Sequence, residues 1–392
     1  MWKIAYILPN IIITTGIETE NLALVPYEGE RIEVIKEEQK GASKLLDGFV
    51  DDFNTLVKPA VLIVKISSPE NLLSIDSIVV FRNIIALATI LPNWALDYSL
   101  GSVLGPLFSN SFDFYPVILT TEGYIITDNP SKLNLGSTEA PFFATPSRES
   151  ARVNIGLQDP MLFKPLLKLW KDKYELNKEE SYLFRKIFRS LEIAYFALSI
   201  PTKNESSIYD YGLSISLWIS AIETLVKRPR KNIGKMTVIS LLKNHGFNDL
   251  KLSNPKFNFR SKSLNPEINF IRKSYLSIHY FIVDLIYKNE KENINFIQKL
   301  YLLIYNFRSK FIHGDIIDEE IFKFIKEYPN LNLLNIGPNL YRLILYLIFK
   351  EEKLIIDNST NDYLNEIIKI KFEDFFLKAL ISNNNVQSEN EE

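Results

Sequence analysis

"TDNPSKLNLGSTEAPFFATPSRES", Thr127 to Ser150, separates two kinds of sequence and so decides the fold class. Its Pro, Gly, Asn and Ser residues crowd together as turn residues do. It reads as the connection between two domains, residues 1–150 and 151–392, and a chain of 392 residues is long enough for both.

On the N-terminal side, "KIAYILP", "LALVPY", "RIEVI", "AVLIVKI" and "YPVILTTEGYIIT" are short, rich in Ile and Val, and bounded by Pro, Gly or Asn. That pattern predicts strands. Between them, "EEQKGASKLLDGFVDDFNTLV" and "SPENLLSIDSIVVFRNIIALATIL" have the length and apolar spacing of helices, with Ser68 the expected N-cap before Pro69 and Glu70. The front is therefore expected to be a mixed α/β domain. On the C-terminal side the period becomes helical, at 161–173, 178–200, 208–228, 234–245, 266–289, 292–313, 317–328, 338–350 and 361–382. An all-α bundle is expected there, ending in the polar, frayed tail "NNNVQSENEE". The whole chain is then α+β.

Composition narrows the chemistry. There are no cysteines, which excludes a disulfide framework, thiolate metal sites and a cysteine nucleophile. The three histidines, His245, His279 and His313, are scattered, so no histidine-built metal site is expected. "MWKIAYILPN" breaks with Pro and Asn where a signal peptide needs an apolar core. The greasiest run, "IDSIVVFRNIIALATILPNWAL", carries Asp76 and Arg82 and reads as a buried helix instead of a membrane span. A soluble, cytoplasmic protein is expected, with no membrane partner. Residues 1–150 carry 10 Lys and Arg against 18 Asp and Glu, a balance of -8; the remaining 35 against 29 give +6. The basic half is the better candidate for a polyanion.

Within that half, "LLIYNFRSKFIHGD", Leu302 to Asp315, combines a helix with titratable groups. On a helix from Asn293 to Ile312, residues Ile297, Leu300, Ile304, Phe307 and Phe311 form the core stripe. Asn306, Ser309 and His313 share a polar face. Gly314 stands where a C-terminal cap glycine would, which puts His313 in the last turn, where the helix dipole favours the imidazolium. Arg308 and His313 lie roughly 500° apart around the helix, so their side chains diverge by about 140°. One copy does not clamp a group between them, whereas two copies about a two-fold axis would present both pairs to one cleft. An arginine can hold phosphate oxygens and an imidazole can move a proton near neutrality, which suits a phosphodiester. The same two residues can also do no more than satisfy terminal carbonyls and the dipole.

This stretch resembles the Arg-polar-…-His signature of HEPN-domain ribonucleases, and "Y-x-x-R-S-K-x-x-H-G" is especially similar to the ApeA-like branch of abortive-infection, anti-phage proteins. "YGLSISLWISAIETLVKRP", Tyr211 to Pro229, resembles the early HEPN helix with its acidic residue, here Glu223. The resemblance covers at best residues 160–380. It implies an HEPN-like bundle, a homodimer or higher homo-oligomer, and metal- and cofactor-independent cleavage of RNA by its own 2′-hydroxyl. Arg308 is implied as phosphate clamp, Ser309 as polar helper and His313 as proton-transfer residue. Tyr305, Lys310 and Glu223 are candidate substrate-binding residues. Members silenced by adenylylation carry a tyrosine two residues after the histidine; Asp315 stands there, so that regulation is not implied.

Some members of the family are non-catalytic modules that bind nucleotide or RNA, or mediate assembly, and that alternative stays open. Glu223 either orients Arg308 or His313 across the bundle or is a solvated helix-face residue. Tyr305 either lines a cleft or sits at a core edge. The run "KRPRKNIGK", Lys227 to Lys235, either tracks an RNA backbone or is a solvated loop. His245 reads as a second helix cap and His279 as a packed core residue. No P-loop, dinucleotide Gly motif or serine-hydrolase elbow marks the front half, whose expected role is that of a sensor or regulator for a phage-derived trigger or another partner.

Overall fold

The apolar runs of the front half are strands because two layers of helix cover them. In a computed structural model of the chain, "WKIAYIL" forms β1 (Trp2–Leu8), followed by β2 (Ile17–Glu18), β3 (Leu22–Val25), β4 (Ala60–Lys65), β5 (Tyr115–Thr120) and β6 (Gly123–Ile126). The structure describes residues 1–11, 13, 16–49, 56–100, 108–121, 123–126, 160–200, 208–227, 235–244, 288–289, 292–293, 296–315 and 333–354. The six strands lie in the order β2-β3-β4-β1-β5-β6, every pair antiparallel. The β1–β4 register shifts between Ile4 and Tyr6. The architecture is α+β.

Side chains alternate between two buried faces, which explains why these antiparallel strands read as nearly unbroken apolar runs. Ile4, Ile7, Ala23, Val25, Val61 and Ile63 face α1 (Glu30–Glu38) and α2 (Ala42–Leu46), meeting Ile32, Ile35, Leu45 and Leu46. On the other face, Tyr6, Leu8, Leu24 and Leu62 line a small apolar pocket with Ile78 and Phe81 from α3 (Ile75–Leu100). Arg82 lies with its guanidinium 4.8 Å from the Phe114 ring centroid.

Three local expectations change. "RIEVI" lies inside α1 and is no strand: Ile32 and Ile35 are buried three residues apart while Glu33 and Val34 are exposed, so the helical spacing prevails over β-branched composition. The single long helix expected from Glu37 to Val57 is interrupted by Gly41 in the left-handed region at φ 83°. The N-cap hydroxyl of α3 is that of Ser74, which accepts from Ser77 N at 3.2 Å, whereas Ser68 Oγ donates to Asn21 O. Between Ser68 and Ser74, Glu70–Leu73 is a 3-10 turn.

The chain falls into two compact units. The first comprises Met1–Thr89, Leu107–Gln158 and Trp170–Lys178; the second comprises Ile90–Pro106, Asp159–Leu169 and Glu179–Glu392. The connection expected at 127–150 lies outside the described residues. In the first unit a π-helical turn, Lys171–Glu175, is tied down by Thr19 Oγ1 donating to Glu175 Oε1 (2.6 Å) and Asn71 Nδ2 donating to Tyr174 O (3.0 Å).

The described part of the second unit is almost wholly helical: α4 (Pro160–Trp170), α5 (Tyr182–Ala197), α6 (Ile208–Val226), α7 (Lys235–Asn244), α8 (Phe296–His313) and α9 (Leu333–Glu351). Ser181 caps α5 by accepting from Phe184 N at 3.2 Å. Residues 288–289 and 292–293, expected to be helical, instead pair as short antiparallel strands; their Lys, Asn and Glu side chains offer no apolar stripe to hold a helix. The helices expected at 317–328 and 361–382, and residues 266–287, lie outside the described residues.

Helix α6 is the hub. Ser190 of α5 donates to Ala221 O at 2.8 Å and lies 3.1 Å from the Tyr341 hydroxyl of α9. Trp218 packs over Gly337, where an added Cβ would lie 2.7 Å from the indole. Among the described residues no helix is long and apolar enough to cross a membrane.

Candidate functional site

Helix α8 carries the Arg308–His313 stretch. Tyr301, Ile304 and Phe307 are fully buried along one stripe and Phe311 is half-buried, as the apolar spacing predicts. The side chains of Ile297 and Leu300 lie outside the described ones. Gln298 is buried too, and its Nε2 donates to Ile239 O at 2.9 Å, tying α8 to α7. The C-terminus closes as the sequence predicts. Gly314 adopts φ 73°, Asp315 N donates to Lys310 O (2.9 Å) and Gly314 N to Phe311 O (3.3 Å), the paired bonds of a Schellman cap. His313 is the residue before the left-handed glycine and is exposed.

Helices α6 and α8 run antiparallel. Gly212 meets the Phe311 ring, where an added Cβ would come within 2.2 Å, and eleven residues on along α6 Glu223 interacts with Arg308 and Tyr301. A side chain on a helix leans toward that helix's N-terminus. Arg308 thus leans toward Tyr301 and Tyr305, away from His313. The divergence of about 140° around the helix puts the two residues at different places on one copy.

What the structure does gather around Arg308 is a cluster from three helices. Glu223 is half-buried, which replaces the solvated reading of it. Burial pushes its carboxyl above the ordinary glutamate value, and the Arg308 charge opposes that shift. Tyr301 is buried, and its hydroxyl is pushed up by burial, then by Glu223 and Tyr305, with Arg308 opposing. The Tyr301 and Tyr305 rings lie 5.9 Å apart. Lys235, the first residue of α7, places its ammonium 5.7 Å from the Tyr305 ring centroid. The Tyr301 hydroxyl and Arg308 Nε are buried with no hydrogen-bond partner among the described residues.

Two members of this cluster escaped sequence reasoning. Tyr301 precedes Arg308 by seven residues, two helical turns, which is a readable signal that both share a face. Lys235 had no signal beyond closing a basic run. Of the other candidates, Ser309 and Lys310 are half-buried and Asn306 is exposed. His245, His279 and residues 228–234 of the basic run lie outside the described residues.

Chemically, the cluster offers two cations, a half-buried carboxyl whose pKa burial raises, and buried donors without a partner among the described residues. That set suits an anion carrying several acceptor oxygens. No protein-family model matches the chain, and no curated protein or solved structure matches it.

Proposed function

We propose that the chain is a metal-independent endoribonuclease of anti-phage defence that cleaves RNA at a site completed by a second copy of itself. The observation that carries this reading is the Arg308 guanidinium, half-buried with Nε unpartnered among the described residues and Glu223 beside it, on the helix whose capped end presents His313. Arg308 holds non-bridging phosphate oxygens and stabilises the charge that develops on them. The RNA 2′-hydroxyl attacks the adjacent phosphorus. A 2′-O–P bond forms, the P–O5′ bond breaks, the 2′ proton passes to a base, and the 5′ oxygen takes a proton from an acid. His313 serves as one of that pair. The products are a 2′,3′-cyclic phosphate and a 5′-hydroxyl.

Because Arg308 and His313 diverge by about 140° around α8 on one copy, the reading requires His313 of a second copy, and a homodimer is part of the proposal. Glu223 positions Arg308 from α6, and Ser309 and Lys310 stand at the rim of the site. The acidic first domain acts as sensor or regulator, releasing the basic domain on a phage-derived trigger or another partner; this rests on the charge asymmetry and on the resemblance to abortive-infection proteins. The separation of Arg308 from His313 within one chain favours one rival reading, a module that binds RNA or nucleotide without cutting it.

Incubation of the purified chain with total RNA in chelator separates the two. Cyclic-phosphate ends are expected, and Arg308→Ala and His313→Ala are each expected to reduce them by two orders of magnitude or more, on the order expected for loss of an acid–base or charge-stabilising group. Growth arrest on expression is expected to vanish with the same substitutions. Arrest that survives both removes Arg308 and His313 from the site.

A further inference from the structure

Lys235 stands at the first position of α7, a place where the positive end of the helix dipole disfavours a cation. Among the described residues no carboxylate forms an ion pair with it. It is held instead over the Tyr305 ring, 5.7 Å from the centroid, and Tyr305 rests against Tyr301 on its own helix. Tyr305 precedes Arg308 by three residues, one turn and roughly 4.5 Å of rise. Arg308 leans back toward Tyr305, so the tyrosine whose ring carries the ammonium lies one turn from the guanidinium along α8. A lysine and an arginine set on either side of one tyrosine are a natural pair for two negative groups of one chain-like ligand, and here a helix N-terminus adds its own positive end. Glu223 interacts with Arg308 and Tyr301 from α6, and among the described residues no carboxylate pairs with Lys235.

We infer that Lys235 forms a second phosphate subsite for a single-stranded RNA backbone, one step along from the phosphate held by Arg308, with Tyr305 as the residue that positions the ammonium. This inference rests on the endoribonuclease reading and gives its substrate a direction: the strand runs from Arg308 toward Lys235 at the start of α7. The ring of Tyr305 does the positioning, and its hydroxyl is not needed for it.

Binding of a 2′-O-methyl oligoribonucleotide of roughly a dozen mixed-sequence nucleotides tests this, because it keeps the phosphates and lacks the nucleophile. Affinity is measured by fluorescence anisotropy against salt concentration. For a single strand each phosphate contact contributes about 0.7 to the slope of log K against log salt. Lys235→Gln is expected to make the slope shallower by about 0.7 and to weaken binding several-fold. Lys235→Arg and Tyr305→Phe are expected to retain the slope, and Tyr305→Leu to lose part of it. An unchanged slope in Lys235→Gln overturns the inference, as does a chain that does not bind the oligonucleotide at low salt. If the slope falls as expected but natural RNA stays uncut, the subsite stands and the nuclease reading falls. If RNA is cut in an Arg308-dependent manner while the slope is unchanged, the reverse holds.

Discussion

Glu223 shows how much a single residue's surroundings decide. On α6 its carboxyl is half-buried, burial raises its pKa above the ordinary value of about 4.3, and Arg308 offsets that only in part. An acid whose pKa is raised by folding lends stability that is fully present below its unfolded value and is lost as pH rises through its folded value. The contribution of Glu223 to stability is therefore expected to decline from about pH 4.3 upward until its folded value is passed, and then to level off. Glu223→Gln removes that decline. Denaturant midpoints compared across this window are expected to diverge in favour of the glutamine variant as pH rises; a constant difference would show that Glu223 is not strained by burial. The partnership of Glu223 with Arg308 was only half legible in the sequence. Its place on an amphipathic helix can be read from spacing, but which helix faces it is a tertiary fact.

At the scale of elements, the contact of α6 with α8 depends on the absence of one side chain. Gly212 lets the Phe311 ring approach to where an added Cβ would lie 2.2 Å away. Alanine gains roughly 1 kcal/mol of helix propensity over glycine, and overpacking costs about 1–3 kcal/mol. Gly212→Ala is therefore expected to destabilise the chain by about 1 kcal/mol net. In a Phe311→Ala background the same change is expected to stabilise it, since the ring is gone. Chemical denaturation of the four chains in a double-mutant cycle measures this, and additivity of the two changes would mean the helices do not meet there. Elements specified by local chemistry were legible in advance: the stripe of Ile304, Phe307 and Phe311, the Gly314 cap, and the Ile- and Val-rich strands β1 and β4. "RIEVI" was not, because β-branched residues spaced three apart fit either element until the sheet's face claims them. Ser74 was hidden because Ser68, followed by Pro69, carries the more conspicuous cap signal.

For the whole molecule, the α+β class was readable from the change of period, and the antiparallel order of the sheet was not, since strand pairing is not written in any one strand. The same limit applies to the site. Arg308 and His313 are five residues apart in sequence, yet they diverge by about 140° around the helix, and the cluster that gathers round Arg308 comes from α6, α7 and α8 without His313. The central claim is that a second copy supplies the missing imidazole, and complementation tests it most directly. Arg308→Ala and His313→Ala chains, each inactive alone, are co-expressed with different tags and purified through both. The mixed dimer keeps one intact pairing of Arg308 from one copy with His313 from the other. It is expected to regain metal-independent RNA cleavage with 2′,3′-cyclic phosphate ends, at about half the activity of the unaltered dimer if its two sites are equivalent. A mixed dimer as inactive as either parent, beside an unaltered chain that cuts, would contradict the two-copy site.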